Sequence, residues 1–142
     1  MFNVIDNAAH AWRYAADFVR DRRGTRRTVK EVEALDADHA ARLLADAGYT
    51  REDFLDAMSR PFASEDLLVR GMESVGLDPA RFKAENPEWM RYLQQNCAMC
   101  DVRGHCKWVM AYDGFVGEHG KFCPNSEDFR LIQARGQAGS AE

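Results

Sequence analysis

The stretch PEWMRYLQQNCAMCDVRGHC, residues 87–106, decides how this chain is read. Asn86-Pro87 places a capping residue before a proline at the first helical position. Trp89, Leu93 and Cys97 then recur at steps of four, the period of one helix face. The helix therefore delivers Cys97 to the core side and ends near Cys100, three residues on. Gly104 lets the chain fold back so that Cys106 reaches the same point. A fourth thiol, Cys123, arrives sixteen residues later with Pro124 fixing the backbone behind it.

The same helical grammar covers the whole chain. A first helix is expected over about Val4–Arg22, burying Trp12, Ala15, Ala16 and Val19 and broken by Gly24 in a basic elbow. Thr28 with Glu31 reads as a capping box for the next segment. Asp36 and Thr50 read as caps of two further helices, the first ended by Gly48 and the second near Pro61. Ser64 opens a helix carrying Leu68, Met72 and Val75, closed by Gly76, and Asp78-Pro79 starts another. A helix over about His105–Ala111, a loop over Gly114–Gly120 and a last helix from the cap Asn125 to about Ala134 complete the plan. No run alternates as a strand would, so the fold class is all-α, a small bundle of short helices. The expected divisions are a helical segment 1–60 with a basic elbow, a cysteine-containing domain 61–135 and a flexible tail 136–142.

Composition narrows the class. The chain has 142 residues, 46% hydrophobic and 30% charged, the balance of an ordinary globular domain. No eighteen-residue apolar run is present, which excludes a membrane-spanning helix. The start MFNVIDNAAHAW lacks the basic and apolar regions of a secretory signal. Four cysteines without such a signal point to the cytoplasm, where clustered thiols more often bind metal than pair as disulfides. The net charge of −4 is too acidic for a general nucleic-acid coat. It divides unevenly, +2 over residues 1–34 and −6 beyond. Arg20, Arg22, Arg23, Arg26 and Arg27 could meet an acidic partner such as RNA or a membrane surface, or form a solvated elbow.

Chemistry, if any, sits on sulfur. Cys97, Cys100, Cys106 and Cys123 form C-x2-C-x5-C and a remote fourth cysteine, a soft donor set suited to zinc or an iron–sulfur cluster and poorly suited to hard cations. Structural zinc usually takes two short ligand pairs, and only one is present. A c-type haem needs histidine after the second cysteine, where Asp101 stands. His105 and His119 are candidate substitute ligands, or donors one layer out. Arg103, Lys107 and Lys121 are expected to lower the thiol pKa values, and Trp89 and Trp108 to shield the site. No GxGxxG, P-loop, GxSxG or HExxH is present, and no carboxylate pair or nucleophile–base set supports an enzyme class.

The cysteine triplet resembles that of several 4Fe–4S proteins: the fumarate–nitrate regulators, the WhiB-like regulators and the endonuclease-III-type DNA glycosylases. Cys123-Pro124 is similar to the end of the bacterial ferredoxin run. These resemblances imply a 4Fe–4S cluster on Cys97, Cys100, Cys106 and Cys123, serving a redox-, oxygen- or iron-responsive regulatory or electron-transfer module. The alternative reading is a structural zinc domain that binds a protein or RNA partner. Over residues 64–135, LLVRGMESVGLDPARF, MRYLQQNCAMCDVRGHC and FCPN together resemble a bacterial family of short proteins, the domain of unknown function 6455 family. That resemblance implies an all-helical domain with a four-cysteine site. The basic helix and VEALDADHAARLLADAGYTREDF are similar, more loosely, to the YjiS-like arginine-rich family, which implies RNA contact or metabolic regulation.

Overall fold

The computed structural model describes residues 4–140, and the described residues form helices and turns without a strand. The chain divides into two compact units, residues 1–65 and 66–142.

In the first unit, α1 spans Val4–Glu33, α2 Ala37–Asp46 and α3 Arg51–Ser59. The Asp36 carboxylate accepts from the His39 N–H (2.9 Å) and the Thr50 hydroxyl from the Asp53 N–H (3.1 Å), as the cap signals require. Gly48, at φ +87°, ends α2 in a conformation that a side chain would strain. The expected break at Gly24 is absent, because α1 runs straight through it. Glycine costs about 1 kcal/mol relative to alanine there, and tertiary bonds outweigh that cost. The buried Asp21 carboxylate accepts from both the N–H (2.7 Å) and the hydroxyl (2.5 Å) of Ser64. The Thr28 hydroxyl donates back to the Gly24 carbonyl (3.0 Å) inside the helix instead of capping a new one. The basic elbow is therefore a continuous helix.

The face of α1 that was expected to be buried is also corrected. Trp12 is 74% and Val19 49% exposed, while His10, Asp21 and Thr25 are buried. Phe62 occupies the place of the predicted anchors. It lies edge-on to Tyr14 (5.1 Å) and Phe18 (5.8 Å), fully buried, at φ +58°. These contacts and the Asp21–Ser64 bonds bind residues 61–65 to the first unit, which moves the division from 60/61 to 65/66.

The second unit holds α4 (Leu67–Ser74), α5 (Pro79–Glu85), α6 (Pro87–Ala98), α7 (Arg103–Met110), α8 (Phe115–Glu118), a single 3-10 turn (His119–Lys121) and α9 (Ser126–Ser140). Its core comprises Leu67, Leu68, Met72, Phe82, Met90, Leu93, Val109, Phe115, Phe129 and Ile132. Asp66, not Ser64, caps α4 by accepting from the Val69 N–H (3.1 Å). Asp78 caps α5 through the Arg81 N–H (3.1 Å), and Gly76 closes α4 at φ +83°. Asn86 holds the cap position of α6 without a side-chain bond. The expected loop at 114–120 is α8 and the 3-10 turn, because burying Phe115 outweighs the glycines around it. The expected tail continues α9 as far as Ser140, and residues 141 and 142 lie outside the described residues. Among the described residues no helix is long and apolar enough to cross a membrane.

Candidate metal centre

Three segments of the second unit carry the four thiols. Cys97 lies in the last turn of α6, and the Cys100 N–H donates to its carbonyl (3.3 Å), so the i, i+3 pair sits on one helix end. Cys106 is on α7, after a reversal at Asp101–Val102. Cys123 follows the 3-10 turn, where its N–H donates to the His119 carbonyl (2.8 Å). All four are reduced and partly buried, and all four line one cavity together with Leu67, Leu68, Phe115, Phe122 and Phe129. The free volume there is about 20 Å³, room for about one water. Among the described residues, no three His, Cys, Asp or Glu side chains stand close enough to hold a single metal ion. The four cysteines thus share a hollow without meeting at one point.

Hydrogen-bond donors aim at the sulfurs. The Arg103 guanidinium, 4% exposed, donates to the Cys97 carbonyl (2.7 Å) and to Cys97 Sγ (3.3 Å). The Val102 N–H donates to Cys100 Sγ (3.4 Å). The backbone N–H groups of Asn125 and Ser126 favour the Cys123 thiolate. Burial opposes all of this. It pushes Cys97 upward, Cys106 up to about 12 and Cys123 up to about 11, with the neighbouring sulfurs adding to each shift. The expectation that flanking cations lower these pKa values is therefore reversed. Arg103 acts in the expected direction and is outweighed, while Lys121 pairs with Glu118 (3.2 Å). At neutral pH the Cys106 and Cys123 thiols are therefore protonated.

Asn125 is the residue whose role the sequence hid. It is 1% exposed, donates to the Leu93 carbonyl (2.9 Å) and accepts from the Asn96 amide (3.0 Å), tying the Cys123 segment to the helix that carries Cys97. An Asn ahead of a helix reads as a cap, and nothing local signals a partner 32 residues away. His105 and His119 do not line the cavity. His105 stands edge-on to Phe122 (5.0 Å), and His119 stacks on Phe115 (5.1 Å) with Nδ1 2.8 Å from the Ser126 hydroxyl. Phenylalanines, not Trp89 and Trp108, wall the site. Trp89 donates to Asp128 (3.0 Å) and packs on Phe82 away from it.

The arginines of α1 also separate. Arg20 pairs with Asp17 (3.1 Å). Arg22 is taken up by Asp21 and by the carbonyls of Ser59 and Arg60, with its guanidinium over the Phe18 ring. Among the described residues, Arg23, Arg26 and Arg27 make no ion pair or side-chain hydrogen bond. Compared with known protein families, curated proteins and solved structures, the chain matches none.

Proposed function

We propose that the second unit binds a 4Fe–4S cluster on Cys97, Cys100, Cys106 and Cys123 and works as a redox- or oxygen-responsive module that reports to a protein partner. The observation that carries this reading is one apolar cavity lined by four thiols, with N–H donors aimed at Cys97, Cys100 and Cys123. The donor set fits: four sulfurs and no oxygen ligand favour a thiophilic centre. A zinc ion would draw four sulfurs to about 2.3 Å from one point. A cluster instead takes each thiolate on a separate iron. The C-x2-C-x5-C spacing points the same way.

Such a cluster supplies one-electron chemistry and lability toward oxidants. The protein's part is distinct. The Phe115, Phe122 and Phe129 wall excludes water, and buried Arg103 offsets the negative charge of the thiolates. Leu93–Asn125 and Asn96–Asn125 bonds hold the fourth ligand against α6. Loss of the cluster would let the segments around Cys100 and Cys123 relax, since site formation and folding are coupled. That change is what a partner would read. The test is Cys100→Ala in protein purified without oxygen. Iron and sulfide should fall together and the second unit should melt earlier; unchanged metal content and unchanged unfolding would remove the proposal.

A further inference from the structure

One face of α1 has no partner within the described residues. Taking Trp12 as the origin and 100° per residue, Ala8, Trp12, Ala15, Ala16, Val19, Arg23, Arg26, Arg27 and Lys30 all fall within about 60° of one line. All but Ala16 are exposed, including Trp12 at 74%. The stripe is ordered along its length. Its first half, about 16 Å from Ala8 to Val19, is apolar and topped by tryptophan. Its second half is mainly basic, with Arg23, Arg26, Arg27 and Lys30 lining a shallow groove beside Glu31, while Glu33 at the end of the stripe pairs with Arg51 (3.6 Å). Among the described residues none of these four cations is engaged in an ion pair or side-chain hydrogen bond, unlike Arg20 and Arg22 on the flanks.

We infer that this face of α1 docks on an anionic lipid surface, with Trp12 and Val19 entering the headgroup–acyl boundary and Arg23, Arg26, Arg27 and Lys30 on the lipid phosphates. Two features on one line select this partner. Basic side chains alone fit any polyanion, but a nucleic acid offers nothing to Val19 and the alanines and would use one aromatic only for stacking. An anionic bilayer takes both halves at once, apolar side chains below the phosphates and cations among them. The helix lies on the membrane, since it is not apolar enough to cross one. The inference is independent of what the cysteines hold.

The test is co-sedimentation of the full chain with vesicles of equal parts phosphatidylglycerol and phosphatidylcholine, against vesicles of phosphatidylcholine alone. Binding to the anionic vesicles only, and its loss at about 1 M salt where the Debye length is about 3 Å, is the expected result. Each juxtamembrane cation contributes about fivefold. R23Q/R26Q/R27Q should therefore weaken binding about a hundredfold, and Trp12→Ser at least about tenfold. Arg81→Gln on the second unit should leave it unchanged. The α1 side chains substituted are exposed, so circular dichroism should report an unaltered helix content. Equal binding to both vesicle types, no binding to either, or binding indifferent to Trp12→Ser would overturn the inference. So would binding to a single-stranded oligouridylate that displaces the vesicles and survives Trp12→Ser, which would assign the face to nucleic acid.

Discussion

Replacing Asn125 by alanine tests the polar latch that brings the fourth cysteine to the site. The side chain makes two bonds in a buried place, to the Leu93 carbonyl and from the Asn96 amide. Each bond contributes about 1 kcal/mol net, and stranding a buried partner adds to this, so Asn125→Ala should cost about 2–4 kcal/mol. For a unit of this size the melting temperature should fall by about 10–25 °C. The assay is urea and thermal unfolding followed by tryptophan fluorescence in a Trp12→Phe background, where Trp89 and Trp108 report the second unit alone. Chelator in every sample keeps metal content equal. Asn96→Ala removes only the outer bond and should cost about 1 kcal/mol, and the double variant should be less destabilised than the sum by about the same amount. A cost for Asn125→Ala below about 0.5 kcal/mol, or strict additivity with Asn96→Ala, would refute the latch.

Three further outcomes follow from other parts of the molecule. Gly24→Ala should stabilise the first unit by up to about 1 kcal/mol, since an added Cβ meets only Ser64 at 3.4–3.5 Å; destabilisation in urea would restore the break that α1 lacks. Asp78→Ala should cost about 1 kcal/mol through loss of the α5 cap, and a second-unit stability equal to wild type would contradict it. Burial holds the Tyr14 phenol above its ordinary value of 10.0. A raised folded pKa contributes stability that is complete below the unfolded value and is lost as pH rises through the folded one. Ultraviolet titration should therefore show one late-ionising phenol that Tyr14→Phe removes, along with part of the first unit's alkaline destabilisation; four phenols titrating together would count against it.

What the sequence disclosed follows the range of the forces involved. Caps are local, and Asp36, Thr50 and Asp78 each bond the N–H three residues on, where the pattern puts it. The positive φ at Gly48 and Gly76 is equally local. The four cysteines were legible as a set because their spacing places each at a helix end or turn, and they do line one cavity. Failures came where a distant group decides. Gly24 reads as a breaker until Ser64, forty residues on, holds Asp21. Trp12 and Val19 read as core because periodicity gives the stripe but not which side of the helix is covered; the aromatic that fills the first unit's core is Phe62, from a turn. The environment of the sulfurs is hidden for the same reason. Charge is visible in sequence and burial is not, so Arg103 is legible while the burial behind Phe115, Phe122 and Phe129 that outweighs it is not.

The function proposed for the second unit turns on the centre on Cys97, Cys100, Cys106 and Cys123. Its most direct test is a visible spectrum of the anaerobically purified chain, with iron, acid-labile sulfide and zinc counted on the same sample. A 4Fe–4S centre would make the protein brown, absorbing broadly near ~400 nm with about four iron and four sulfide per chain. A colourless protein with one zinc, or with no metal, would contradict it.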